Sequence, residues 1–216
     1  MNGILALIPM RESTVRRCGG VAFTGTLVFV AVAVVVQWLR PDLDWLDAPL
    51  SFYLLGGYGH VLQAAYVVLA CALVFLGGGF YGALRREARS LAPWSLFTYA
   101  ASALVVTALA HSNLPGHAPT LQGLVHGVAA QAAFLGATVA MLLQSWRLRD
   151  DARWRSRFRF AFALALVCFV GLWVDAIWKG MPRGLEQKLL IALIVCWLLC
   201  AAWWLWRAKN GPGANR

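Results

Sequence analysis

Three of the four histidines fall within one short stretch, from His111-Ser112-Asn113 through His117 to Gln122 and His126, and the fourth is His60. Neutral imidazoles can ligate zinc, hold haem iron, or hydrogen-bond a polar group buried in an apolar setting. His60 with Gln63, and Gln122 with His126, stand three and four residues apart, so each pair shares a helix face. Asp175 is the one acid inside an apolar run, where an ionisable group is a functional candidate by default. Lys179, four residues on, also fits a simple ion pair with it. His60, Gln63, His111, Gln122, His126 and Asp175 are therefore the candidate pocket residues. His60 and His126 are the candidate metal ligands. His117 reads as a solvated loop residue.

These residues need elements to position them, and the composition says which kind. The 216 residues are 61% hydrophobic and only 13% charged, too apolar for a soluble domain of this size. Runs long enough to cross a bilayer occur at 21–39, 61–84, 95–110, 121–146, 160–178 and 189–206. The fold expected is an all-α membrane protein, a six-transmembrane-helix bundle. Residues 1–20 form an N-terminal segment, 21–206 a single transmembrane domain and 207–216 a tail.

Fifteen of the 19 Lys and Arg sit in the N-terminal segment, the second and fourth loops and the tail; the other three loops hold Arg40, Lys179, Arg183 and Lys188. That alternation places both termini in the cytoplasm. All four histidines then lie toward the extracytoplasmic side. The net charge of +10 comes from these short loops, which argues against a nucleic-acid partner. No small-residue cleavage site follows the first long run, so no cleavable signal peptide is expected.

Several local features refine the plan. Pro115, Gly116 and Pro119 break the chain before Thr120, an oxygen-bearing cap for the fourth helix. The first outer loop carries Trp45, Leu46, Leu50, Phe52 and Tyr53, so 41–55 is expected to cap the bundle as an interfacial or re-entrant element. Gly78/Gly82 and Gly123/Gly127 have the spacing of close helix contacts. Cys71, Cys168, Cys196 and Cys200 lie within apolar runs, and Cys196 and Cys200, four apart on one helix face, read as small buried apolar side chains ahead of a metal or thiol pair. The run 147–159, Arg-rich with Trp146, Trp154 and Phe158, reads as an anchor to anionic headgroups. Gln131, about 7 Å deeper than His126 by helical rise, extends the expected pocket inward.

Pro49-Leu50-Ser51-Phe52-Tyr53 with Gly59-His60-Val61-Leu62-Gln63, and above all Pro115 to Ala130 with its Pro-Thr-Leu-x-Gly-x-x-His-Gly core, resemble a bacterial membrane family known as domain of unknown function 998. Asp151-Ala152-Arg153-Trp154-Arg155 and Gly184-Leu185-Glu186-Gln187-Lys188 are similar to two further signatures of it. The resemblance covers nearly the whole chain and implies six helices in the bacterial inner membrane, with His126 as the family histidine. It supplies no reaction. Members typically show a Phe-Pro-Thr-Asp-like end to the third helix, where this chain has Ala110-His111-Ser112-Asn113 and lacks the acid.

The function expected is that of a small multi-pass inner-membrane protein binding or handling lipid, or assisting a partner, through an outward-facing His-lined pocket. No cofactor is expected on this reading, and whether the chain is an enzyme stays open, as do its protein partners. The alternative is a zinc or b-haem membrane enzyme with its site at the extracytoplasmic face, though no His-Glu-x-x-His motif is present. A transporter is disfavoured, because no inverted repeat or paired broken helix is visible.

Overall fold

A computed structural model describes residues 12–113, 116, 118–178 and 180–208, with the Asp175 side chain excepted. Among these the chain is helical, without strands. The six long helices are α1 (Glu12–Trp38), α2 (Gly59–Ala83), α3 (Leu91–Leu109), α4 (Leu121–Leu148), α5 (Arg155–Ile177) and α6 (Arg183–Trp206). All six contain segments long and apolar enough to cross a membrane. A 3-10 turn, Leu50–Leu54, lies between α1 and α2. Each helix packs on the next, α6 returns to α1, and α2 also meets α6 across the bundle. α1 begins and α6 finishes at one end, the termini end; the histidines belong to the opposite, histidine end.

The helices outrun the apolar stretches. α1 starts at Glu12, well before Val21, and α6 at Arg183, before Leu189. Arg, Glu, Gln and Lys are good helix formers, so hydropathy marks where hydrocarbon ends, not where the helix ends. Thr120 caps α4 as its sequence suggests, its Oγ accepting the Gly123 N–H at 3.0 Å. Ser90 does the same for α3, accepting from Ala92 N at 3.3 Å.

The termini end is close-packed. A Cβ on Gly19 would collide with the backbone of Leu205 and Trp206, so this glycine lets α1 and α6 cross in direct contact. Trp154, Phe80, Met141, Leu205 and Trp197 are essentially unexposed there and toward mid-bundle. The Trp197 indole N–H donates to Ala161 O at 2.9 Å, tying α6 to α5. Trp154 is thus a core residue lying edge-on to Phe80, ring centroids 5.6 Å apart, and not a ring at the headgroup level. The arginines around it do stack on aromatic faces: Arg149 over Trp146 at 3.9 Å and Arg157 over Trp154 at 4.8 Å.

Other expectations are redistributed. Gly127 faces open space and Gly123 abuts the Asn113 side chain, so neither joins two helices; the close α3–α4 approach is at Gly136 against Tyr99 and Ala100. Cys168 is buried, but Cys71 and Cys196 are exposed on the bundle surface and Cys200 partly so. In a bilayer an exposed thiol meets lipid, so the apolar character that motivated burial is satisfied on the outside.

Candidate functional site

The histidine end is roofed by the loop between α1 and α2. Arg40 grips Asp42 twice, Nε to Oδ1 at 2.8 Å and Nη2 to Oδ2 at 2.7 Å, and donates through Nη1 to Leu55 O. This pair holds the Asp42 carboxyl below its ordinary pKa. Asp44 Oδ1 accepts from Leu46 N and Asp47 N, closing a local turn. The 3-10 turn then buries Leu50, Tyr53 and Leu54, and burial pushes the Tyr53 phenol above its usual range. Gly56, at φ +87°, turns the chain into α2, a backbone state that favours glycine.

The start of α6 clamps this roof. A Cβ on Gly184 would lie 2.6 Å from both Leu46 O and Ala48 O, so only glycine lets the helix end come this close. Leu185 N donates to Leu46 O at 2.8 Å, Gln187 Oε1 accepts from Leu50 N at 2.9 Å, and Lys188 donates to Trp45 O. The Lys188 ammonium also stands over the Trp45 ring at 4.8 Å and the Tyr53 ring at 5.3 Å. The segment Gly184–Lys188 is therefore a docking strip for the first loop.

Beneath the roof lies a small cavity of about 80 Å³. Its upper lining is polar: His126, Gln187, Thr107, Ser51 and Tyr66. Its lower lining, reaching Leu73, Ala137 and Leu198 near mid-bundle, is apolar. Gln187 to Leu198 spans roughly 16 Å of helical rise. No Asp, Glu, Lys or Arg is among the described residues that line it.

His126 is 6% exposed, and its Nδ1 lies 2.9 Å from Ala110 O, at the end of α3. A carbonyl only accepts, so Nδ1 carries a proton and donates; in the neutral ring Nε2 keeps its lone pair. Gln187 is committed the other way: its Oε1 accepts from Leu50 N, leaving its amide N–H groups as donors. The Thr107 hydroxyl donates to Ala103 O at 2.9 Å. The cavity's upper end thus offers an acceptor on α4 and a donor on α6, both fixed by backbone partners.

The other candidates are elsewhere. His60 is exposed and hydrogen-bonds Gln63 at 3.0 Å on the surface of α2. His111 is exposed and pairs with Gln122 at 2.6 Å in a shallow surface cleft with Asn113 and Thr120. His60 and His126 share neither a cavity nor a hydrogen bond. Among the described residues no three His, Cys, Asp or Glu gather in a metal-holding group. Gln131 is exposed on α4 instead of extending the pocket. His117, Lys179 and the Asp175 side chain lie outside the described residues. Of the histidines described, the cavity takes one.

Gln187, Thr107 and Ser51 are cavity residues that reasoning from the sequence missed. Gln187 shares a face of α6 with Ile191, Ile194 and Leu198, but residues 189–206 are apolar throughout, so spacing alone does not mark that face. Asn113 has a structural role, its Oδ1 accepting from Thr120 N at 3.1 Å and Thr120 Oγ at 2.8 Å. At the termini end Asp151, 1% exposed, also turns out to be a clamp: Oδ2 accepts from Arg85 N and Oδ1 from Arg153 N, each at 2.9 Å.

Residues 23–204 match a family model described as Protein of unknown function (DUF998). No curated protein and no solved structure matches the chain.

Proposed function

The chain belongs to the DUF998 family, and from its geometry we propose that it binds an uncharged, hydroxyl-bearing amphiphile of the membrane in the cavity beneath the loop roof. The observation that carries this reading is the division of one cavity into a polar top and an apolar floor, with His126 Nε2 free to accept at the top. A hydroxyl can donate to that nitrogen and accept from the Gln187 amide within the roughly 80 Å³ of free space, and an alkyl chain is accommodated as the apolar side chains from Leu104 and Phe134 down to Leu198 move apart. An anionic headgroup would be desolvated without a countercharge among the described lining residues, a cost of several kcal/mol in order of magnitude. The setting is the bacterial cytoplasmic membrane, with both termini in the cytoplasm as the Lys and Arg distribution supports. The cavity's polar end then faces the extracytoplasmic side, beneath the loop roof. Binding and handling of lipid is the role this supports.

The test uses the protein in phospholipid nanodiscs with a monoacylglycerol bearing a photoactivatable diazirine in its chain. Crosslinks should concentrate on α4 and α6 segments around the cavity, fall several-fold in His126→Leu, and be competed by unlabelled monoacylglycerol but not by lysophosphatidylglycerol. Labelling spread over all lipid-facing surfaces and indifferent to His126→Leu would refute the reading.

A further inference from the structure

Between α1 and α6 the bundle surface carries a second, larger hollow. It is a groove of about 790 Å³, bounded by Val34, Ala192, Cys196 and Leu199 among others, with Trp38, Trp45 and Lys188 at its histidine end. At the termini end the same two helices are in backbone contact at Gly19, and Phe23 packs on Trp203 and Trp206 with ring centroids 5.6 Å apart. The helices therefore meet at one end and part toward the other. Three side chains line both the groove and the central cavity: Phe29 from α1, and Ile191 and Val195 from α6. They form a wall one side chain thick between the cavity and the bundle surface.

We propose that this groove is the lateral entrance through which an amphiphile passes from the bilayer into the cavity, with Phe29, Ile191 and Val195 as the gate. The inference rests on the cavity being an amphiphile site. Its own support is separate: the shared wall, the apolar sides, and the interfacial residues at the groove's upper end. Trp38 and Trp45 are exposed aromatics of the kind that sit at headgroup level. A lipid lying in the groove thus has its head at the same level as the cavity's polar top. Movement inward needs only side-chain displacement at the wall, since none of the three makes a polar bond through its side chain. The roof, in contrast, is pinned by the Gly184–Lys188 strip.

An entrance governs rates and leaves the equilibrium alone, which separates it from the binding site. Ala192 and Val34 line the groove and not the cavity. Ala192→Trp, and independently Val34→Trp on the facing helix, should slow both loading and release of the diazirine monoacylglycerol about ten-fold while final occupancy stays unchanged. Val167→Trp, on the exposed face of α5, should alter neither rate. Loading at the unsubstituted rate in both groove variants, each verified as folded by gel filtration, would overturn the entrance and leave the cavity reading standing. Failure of the unsubstituted protein to load would overturn the cavity reading and the entrance with it. Disulfide crosslinking between copies through Cys196 in nanodiscs would mean that a second copy covers the groove, and would also overturn the entrance.

Discussion

The two ends of this bundle are made from the same kinds of residue and reach opposite results. At the termini end, small residues such as Gly19, Ala161, Ala165, Ala201 and Ala202 let backbones close up, and large rings such as Trp154 and Trp197 fill what remains. At the histidine end, Phe29, Tyr66 and Leu104 stand around a space they do not fill. Each end nevertheless has a clamp that pins a loop. Asp151 joins the second and fourth loops, and the Gly184–Lys188 strip joins the first loop to the start of α6. The contrast suggests a division of labour in which the packed end supplies rigidity and the open end can admit a ligand without unfolding.

The largest loss is expected at the packed end. Trp154→Ala removes a fully buried indole and should cost about 3–5 kcal/mol of stability, read as a large drop in thermal midpoint in mild detergent. Tyr66→Ala, which enlarges an existing cavity, should cost clearly less; equal losses would mean that the two ends are not differently packed. Next in size is Asp151→Ala. It leaves the Arg85 and Arg153 N–H groups without their carboxylate, for an expected loss of about 1–3 kcal/mol. Asp151→Asn, which retains one oxygen acceptor, should recover part of that loss in the same unfolding assay.

Much of this was readable beforehand, and the failures have a common cause. Six spans, the capped start of α4 at Thr120 and the capping role of the first loop follow from hydropathy, turn residues and propensity, which act locally. The rotation of each helix does not. In a bilayer both the lipid face and the core face are apolar, so periodicity does not reveal which way a residue points. His126 turns inward while Gln131 on the same helix turns out, and Cys196 faces out while Trp197 beside it is buried. Nor did the signatures at Asp151 and Gly184–Lys188 declare their role, because each is defined by a partner more than 60 residues away, Arg85 for one and Leu46 to Leu50 for the other. His126 is therefore the sharper test at the open end. His126→Leu should weaken monoacylglycerol retention about ten-fold, the equivalent of roughly 1.4 kcal/mol, with a smaller change in thermal midpoint than Trp154→Ala. His60→Ala and His111→Ala, which alter surface pairs, should retain ligand as the unsubstituted protein does. Loss of retention in all three alike would mean that the histidines act as a group and that the cavity is not the site.

The smallest expected effect concerns the roof and depends on pH. Arg40 holds the Asp42 carboxyl below its ordinary pKa by hydrogen bonding and charge. A carboxylate depressed in the folded state contributes stability that is fully present above its unfolded pKa, near 3.9, and is lost as pH falls through the lower folded value. The roof should accordingly loosen below about pH 4 and not at neutral pH. Amide hydrogen exchange over residues 40–55, compared between pH 6 and pH 3 after correction for intrinsic exchange, should show added opening at pH 3. In Asp42→Asn the difference should shrink, because the variant lacks the titrating group. Asp42 is solvent-exposed, so added salt should weaken the pair at pH 6 as well. If acid opened α1 and α6 at the termini end to the same extent, the Arg40–Asp42 pair would not be its cause. The proposed independence of the two ends would fail with it.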